Sequence, residues 1–211
     1  MICASKIEKV RSIVEKEAGY QGDHGYSHIM RVYENAMEIA ENEKCDKEIV
    51  ALAALLHDIK EGKGHAYHHI ASAKRAREIL GDLNYSDDTV EAVCHAVEAH
   101  SFSKPPEPKT VEAKIIQDAD RLDALGAIGI ARCFSYGGRI KRKMYFEGDP
   151  FRRKTKPKYD SSQANIDHFY LKLLTLKGKM HTKTARKIAK GRTDYMLNYL
   201  KQFEKEIKGD A

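Results

Sequence analysis

The chain is predicted to be all-α, and three observations predict it. Apolar residues recur at three- and four-residue spacing in nearly every ordered stretch, no stretch alternates as a half-buried strand does, and capping or breaking residues such as Asp46, Gly81, Ser86 and Thr110 bracket the apolar runs. With 211 residues, 42% hydrophobic and 32% charged, the chain is long enough to bury roughly 70% of its extended surface as one domain. We expect a single helical domain over 1–211, with its core at about 24–134, a basic insertion at 135–160 and helices at 161–208.

The first helix carries Ile7, Val10 and Val14 on one face and ends at "YQGDHG" with its two glycines. A second runs from about Ser27 to Glu43, with Ile29, Val32, Tyr33, Ala36 and Ala40 along one stripe. Asp46 caps a third, "KEIVALAALLHDI", whose faces are apolar nearly all round after Ile49, which places it at the centre of a bundle. A fourth covers about Ala66 to Leu80 and stops at Gly81; Ser86 caps a fifth, in which Val90, Val93, Cys94 and Val97 face inward. The prolines of "SFSKPPEPKT" break the pattern, and Thr110 caps a sixth helix from Val111 to about Cys133. Two more follow, about Ser162 to Lys177 and Thr182 to Lys208. Ahead of both, Gly137 and Gly138 before Ile140, Met144 and Phe146 allow a short hairpin in 135–160.

Composition excludes several classes. Cys3, Cys45, Cys94 and Cys133 form no CxxC pair, which argues against a disulfide framework and a thiolate zinc site and for a reducing, cytoplasmic setting. "MICASKIEKVRSIVEKE" lacks a signal-peptide core, and no run approaches the ~20 apolar residues of a membrane span. The net charge of +6 is matched by the segment Ser135–Asp160 alone, where nine Lys or Arg stand against three acids. That excess suits an anionic partner, whether nucleotide, nucleic acid or phosphorylated metabolite, or a solvated basic loop.

Eight of the ten histidines lie between residues 24 and 100, which is more than scattered surface histidines require. His57 and Asp58 stand side by side at the end of the central helix, a C-terminal position that a histidine also favours through the helix dipole. In "GDHGYSHIMRV", His28 falls in the first turn of a helix with a fixed apolar face, whereas His24 precedes it among glycines. In "IIQDADRLDALGAIGIARC", Asp118, Asp120 and Asp123 interrupt an apolar helix; buried carboxylates need a cation, or else Arg121 or a nearby helix end.

These residues resemble the H…HD…D signature of the HD-domain metal-dependent phosphohydrolases. "SHIMRV", "ALLHDIKE", "EAHSFS", "QDADRLDALGAIGIARCF" and "HFYLKLL", spanning about residues 24–176, are together similar to a branch that hydrolyses nucleoside triphosphates to monophosphate and pyrophosphate. The resemblance implies an HD-type helical bundle in which His28, His57, Asp58 and Asp120 hold one divalent cation (Mn, Mg, Co, Ni, Fe or Zn), Asp118 and Asp123 capping or pairing within the fold. It implies that Glu61 joins Asp58 in catalysis by positioning or deprotonating water. Arg31, Lys63, His100, Arg139 and Lys143 are candidates for contact with substrate. Two imidazoles and two carboxylates suit such an ion and leave positions open for water and substrate. The remaining histidines, His65, His68 and His69, are expected to be structural or superficial. Other readings are a nucleotide phosphomonoesterase, a nucleic-acid-binding module resting on the basic cluster, and a di-iron oxygenase built from the additional histidines. Oligomeric state has no signal in the sequence.

Overall fold

Helix starts are written in the side chains that satisfy the first unpaired backbone N–H groups. Asp46 accepts from the amides of Glu48 and Ile49, Ser86 from Thr89, Thr110 from Ala113 and Thr182 from Ala185. A computed structural model of the chain describes residues 4–19, 25–60, 67–101, 106–151 and 164–210. Its helices are α1 (Ala4–Ala18), α2 (Tyr26–Ala40), α3 (Lys47–Leu56), α4 (His68–Asp82), α5 (Asp87–Ala99), α6 (Val111–Asp123), α7 (Gly126–Arg139), α8 (Asn165–Leu171) and α9 (Lys183–Lys208), with a 3-10 stretch at Leu173–Lys179. Among the described residues there is no strand, so the all-α class holds.

The chain divides into two compact units within α6, Met1–Asp120 and Arg121–Ala211. In the first, α3 is the central element, as its apolar faces predict: every residue from Val50 to Leu56 is buried, and α1, α2, α4 and α5 all pack against it. Burying each of Leu52, Leu55 and Leu56 stabilises the unit by about 1.5–3 kcal/mol relative to exposure. An ion network ties its rim. Glu17 on α1 receives Arg75 of α4 through Nε at 3.1 Å and Nη2 at 2.6 Å, and Lys60 at 2.8 Å. These cations hold the Glu17 carboxyl at about 2, the hydrogen bond from Arg75 being the largest influence. In the second unit α7 packs on α8 and α9 around an aromatic group. The ring of Phe134 lies 5.9 Å from that of Phe169 and 6.3 Å from that of Tyr199, centroid to centroid, so shape and ring electrostatics both contribute.

The sixth helix departs from expectation. It was predicted as one element to Cys133, and it breaks at Ala124–Leu125. Gly126 takes a left-handed φ of +72°, and a Cβ at Gly129 would lie 2.2 Å from the Ala124 carbonyl oxygen, so the "ALGAIG" glycines permit a tight corner that other residues would block. Arg192 donates to the Leu122 carbonyl at 2.7 Å, satisfying an acceptor the broken helix leaves open. The fourth helix runs through Gly81 to Asp82 instead of stopping there. No hairpin forms in the described part of 135–160: α7 ends at Arg139, Lys141 turns the chain with φ +56°, and Lys143 makes an isolated parallel bridge to Ala164. The thiols of Cys94 and Cys133 are buried and Cys45 is half-buried, and burial raises all three above the ordinary thiol value, Cys133 to about 11.

Candidate metal centre

Each ligand-type side chain is set by the helix that carries it. His57 is the C-cap of α3, and its Nδ1 lies 2.8 Å from the carbonyl oxygen of Ala54. A carbonyl only accepts, so Nδ1 carries the proton and Nε2 keeps its lone pair. That Nε2 is 3.3 Å from Nε2 of His28, which projects from the first turn of α2 one turn before the buried Val32. His28 Nε2 in turn stands 3.5 Å from Asp58 Oδ2 and 3.5 Å from Asp120 Oδ1, and His57 Nε2 stands 3.8 Å from Asp58 Oδ2. All four residues are buried, Asp120 being the most exposed at 8%. The structure thus brings together the four residues on which the sequence reading centres.

The donor set fits a divalent cation. Ligands bonded at about 2.1 Å in adjacent octahedral positions stand about 3 Å apart, so this group needs only a small contraction to close on an ion. Burial, the strongest influence, lowers His57 to about 4, and neighbouring His100 and His28 push the same way against Asp58, so the imidazole is neutral near neutral pH, the form that ligates.

The other oxygen of Asp58 faces a second group. Asp58 Oδ1 is 3.4 Å from Nε2 of His100 and 3.7 Å from Nε2 of His68. His100 repeats the device of His57: it is the C-cap of α5, and its Nδ1 bonds the carbonyl of Val97, three residues back. Burial alone would lower His100, but its close approach to the Asp58 carboxylate and the charges of Asp58 and Asp120 outweigh that and raise it. His28, His57 and Asp120 form one potential cation group, and Asp58, His68 and His100 another. His100 was expected near the site; His68 was read as structural or superficial, and its approach to Asp58 was missed. For His100 a signal was present, since "ALLH" and "VEAH" each end an apolar helix in histidine; for His68 there was none.

Side-chain ties to the backbone hold these elements in place. Gln117 Nε2 donates to the Ala99 carbonyl at 2.7 Å, joining the turn of α5 before His100 to the turn of α6 before Asp120. Asn35, on α2 with His28, donates to the carbonyl of Ala119 at 3.4 Å. Ser72 Oγ accepts from the Lys60 amide at 3.2 Å and donates to its carbonyl at 3.3 Å, fixing α4 to the chain just past Asp58. Asp118 is buried on α6, and Asp123 pairs with Arg132, a role within the fold as anticipated. Arg31 lies one turn beyond His28 and is half-buried. Arg139 and Lys143 belong to the second unit, where they approach the rings of Tyr136 and Phe146. Glu61, Lys63, His24, His65 and the basic run 152–158 lie outside the described residues.

Fold and site define an all-α metal-binding protein with a mixed imidazole and carboxylate centre. Known proteins of this kind match the chain. The HD domain profile matches residues 25–125. YpgQ of Bacillus subtilis strain 168 is 36% identical over 204 residues, covering 95% of this chain and 91% of YpgQ. The crystal structure of an HD-superfamily hydrolase from Bacillus thuringiensis superposes with a TM-score of 0.76 at 35% identity, covering 97% of this chain and 98% of that one. Bacillus subtilis YpgQ in complex with ADP superposes with a TM-score of 0.76 at 32% identity, covering 97% and 100%. The chain belongs to the HD-domain family, and with it to the metal-dependent phosphohydrolases of the HD superfamily. No helix among the described residues is long and apolar enough to cross a membrane.

Proposed function

We propose that the protein hydrolyses nucleoside triphosphates to monophosphate and pyrophosphate. The observation that carries the reading is the convergence of His28, His57, Asp58 and Asp120 on one buried centre; the ADP complex of YpgQ supports a nucleotide as the ligand class. These four residues would hold one divalent cation, which when bound polarises a phosphoryl oxygen and makes water more acidic. The chain's own residues do the rest. Ala54 fixes the tautomer of His57, and burial keeps that ring neutral. Asp58 offers one oxygen to each donor group, and Gln117 and Asn35 hold the backbone on which His100 and Asp120 stand. Glu61, three residues past Asp58, is assigned to positioning water on the family resemblance alone, as are Arg31 and Lys63 to phosphate contact.

The test is to incubate metal-loaded protein with a panel of nucleotides and identify the products. Monophosphate with pyrophosphate is expected. Orthophosphate from a monophosphate would make the protein a phosphomonoesterase instead. A second reading, two cations sharing Asp58, is favoured by the approach of His68 and His100 to Asp58 Oδ1. Metal analysis decides it, one ion per chain against two; two irons together with oxygen consumption would mean a di-iron oxygenase. Salt-sensitive oligonucleotide affinity that survives His57→Ala would support a nucleic-acid-binding module.

A further inference from the structure

The two units carry opposite charge, which the net +6 of the chain conceals. Met1–Asp120 holds 15 Lys or Arg against 22 acids, a net −7, whereas Arg121–Ala211 holds 22 against nine, a net +13. The proposed chemistry rests on the first unit and leaves this excess without a role.

Part of the excess is ordered along one helix. Lys183, Lys187, Lys190, Lys201, Lys205 and Lys208 are exposed and recur at spacings of four, three, eleven, four and three, which puts them on one face of α9. At ~1.5 Å per residue the file is about 38 Å long. The opposite face, with Ala185, Ala189, Thr193, Met196 and Leu200, is buried in the unit. Among the described residues Lys183, Lys187, Lys201 and Lys205 make no ion pair. Lys190 pairs with Asp194 and Lys208 with Glu204, each at 2.9 Å, surface contacts weak enough to yield to a phosphate. The hydrogen bond from Lys190 is the largest influence holding Asp194 below its ordinary value, and the charge of Lys177, on the 3-10 stretch, adds to it, so that lysine stands by the same face. From Leu171 to Thr193 the chain has eight Lys or Arg and no acid.

An aromatic ring borders the file. Tyr195 is 55% exposed. A helical side chain leans over the turn before its own, and four residues before Tyr195 stands Gly191, where a Cβ would meet nothing within 4 Å. A glycine weakens a helix interior, and no close neighbour requires this one; it keeps a shelf open between Lys187 and Tyr195.

We propose that this face of α9, with Lys177, binds single-stranded nucleic acid, the lysines taking phosphates and Tyr195 stacking a base over the open turn at Gly191. A linear file of point charges matches a regular polyanion, and lysine holds phosphate without demanding a fixed geometry. The ring adds the π-face on which a base can stack. A membrane fits less well, because the apolar face of α9 is occupied by the core and the helix has none to insert. The binding stands beside hydrolysis and depends on neither metal nor turnover.

The test is fluorescence anisotropy of labelled single-stranded RNA, single-stranded DNA and duplex DNA with the full-length protein in EDTA, over a range of salt. Saturable, salt-sensitive binding of the single strands is expected. Lys183→Gln, Lys187→Gln and Lys201→Gln combined should weaken it about tenfold and make the slope of log affinity against log salt shallower by about 2. Tyr195→Ser should weaken single strands about fivefold and leave the duplex unaffected. The same loss of charge in the first unit, Lys9→Gln with Lys44→Gln and Lys74→Gln, should leave binding unmoved. Circular dichroism checks that each variant is folded; should the triple variant unfold, Lys187→Gln and Lys201→Gln are read singly. Nucleotide turnover is measured separately on the unaltered protein, so failure of the hydrolase reading and failure of this one give different results. No saturable binding, or equal loss in the first-unit variant, would overturn the proposal. So would polyglutamate or phosphatidylserine vesicles bound as tightly as the strands, or Tyr195→Ser without effect on them.

Discussion

The two units bury polarity in different ways. In the first, Nε2 of His28 and His57 and oxygens of Asp58 and Asp120 present lone pairs to one another. In the second, the polarity is mixed: the buried Nε of Arg142 and Nδ1 of His168 stand with the buried Oδ1 of Asn165 and the buried carboxylate of Asp167. A concentration of acceptors is relieved by a cation, so the ligand class of the first unit is legible from which half of the hydrogen bond is missing, whereas a mixture of both halves names no ligand. Neither group is a stability device. Each raises the energy of the unliganded chain, and the surrounding apolar packing of α3 in one unit and of Phe134, Phe169 and Tyr199 in the other offsets it.

The largest expected effect comes from Asp58→Ala. Loss of several kcal/mol of charge stabilisation lowers hydrolysis roughly 1,000-fold, with loss of tightly bound metal on dialysis. Retained metal and activity would dissolve the acceptor side of the comparison. Next is Phe169→Ala, which empties a fully buried ring from the second unit and costs about 3–5 kcal/mol in chemical denaturation. Metal affinity in a buffered titration, read below the unfolding range, should be unchanged, because the four ligands lie in the first unit. A parallel loss of affinity would show that the two regions do not act separately.

Gln117→Ala is smaller. Without its bond to the Ala99 carbonyl the supports of His100 and Asp120 loosen, and metal affinity falls about 10- to 100-fold. Gln117→Glu, which cannot donate that bond when ionised, should resemble the alanine variant. The smallest is Glu17→Gln, worth about 1 kcal/mol near neutral pH for a partly exposed network. Glu17 is held at about 2 by Arg75 and Lys60, below its ordinary 4.5, so its contribution is complete above 4.5 and lost as pH falls through 2. The difference in unfolding free energy between wild type and variant should therefore close over that interval; a constant difference would remove the ion network from the stability of the rim.

Much of this was legible in the chain. The period of three and four gave the helices, and Asp46, Ser86, Thr110 and Thr182 fixed their starts because capping is a local interaction. The four residues His28, His57, Asp58 and Asp120 were recognisable through a motif. The corner at Gly126 was passed over because the apolar period continues across it, and only the backbone angle there separates one helix from two. His68 was misjudged because its meeting with Asp58 depends on how α4 returns to α3, a tertiary relation without local trace. Arg142 was one of nine cations in a basic segment, and only the bridge to Ala164 distinguishes it from the others.

The sulfur chemistry of the molecule has a practical side. Cys45, Cys94 and Cys133 are held in the thiol form by their surroundings, and the thiolate is the species that alkylating reagents attack. In a Cys3→Ser background, a cysteine introduced on an exposed helix face should therefore outcompete the native three for a maleimide dye. That would give a fluorescent reporter of ligand arrival without disturbing either polar cluster.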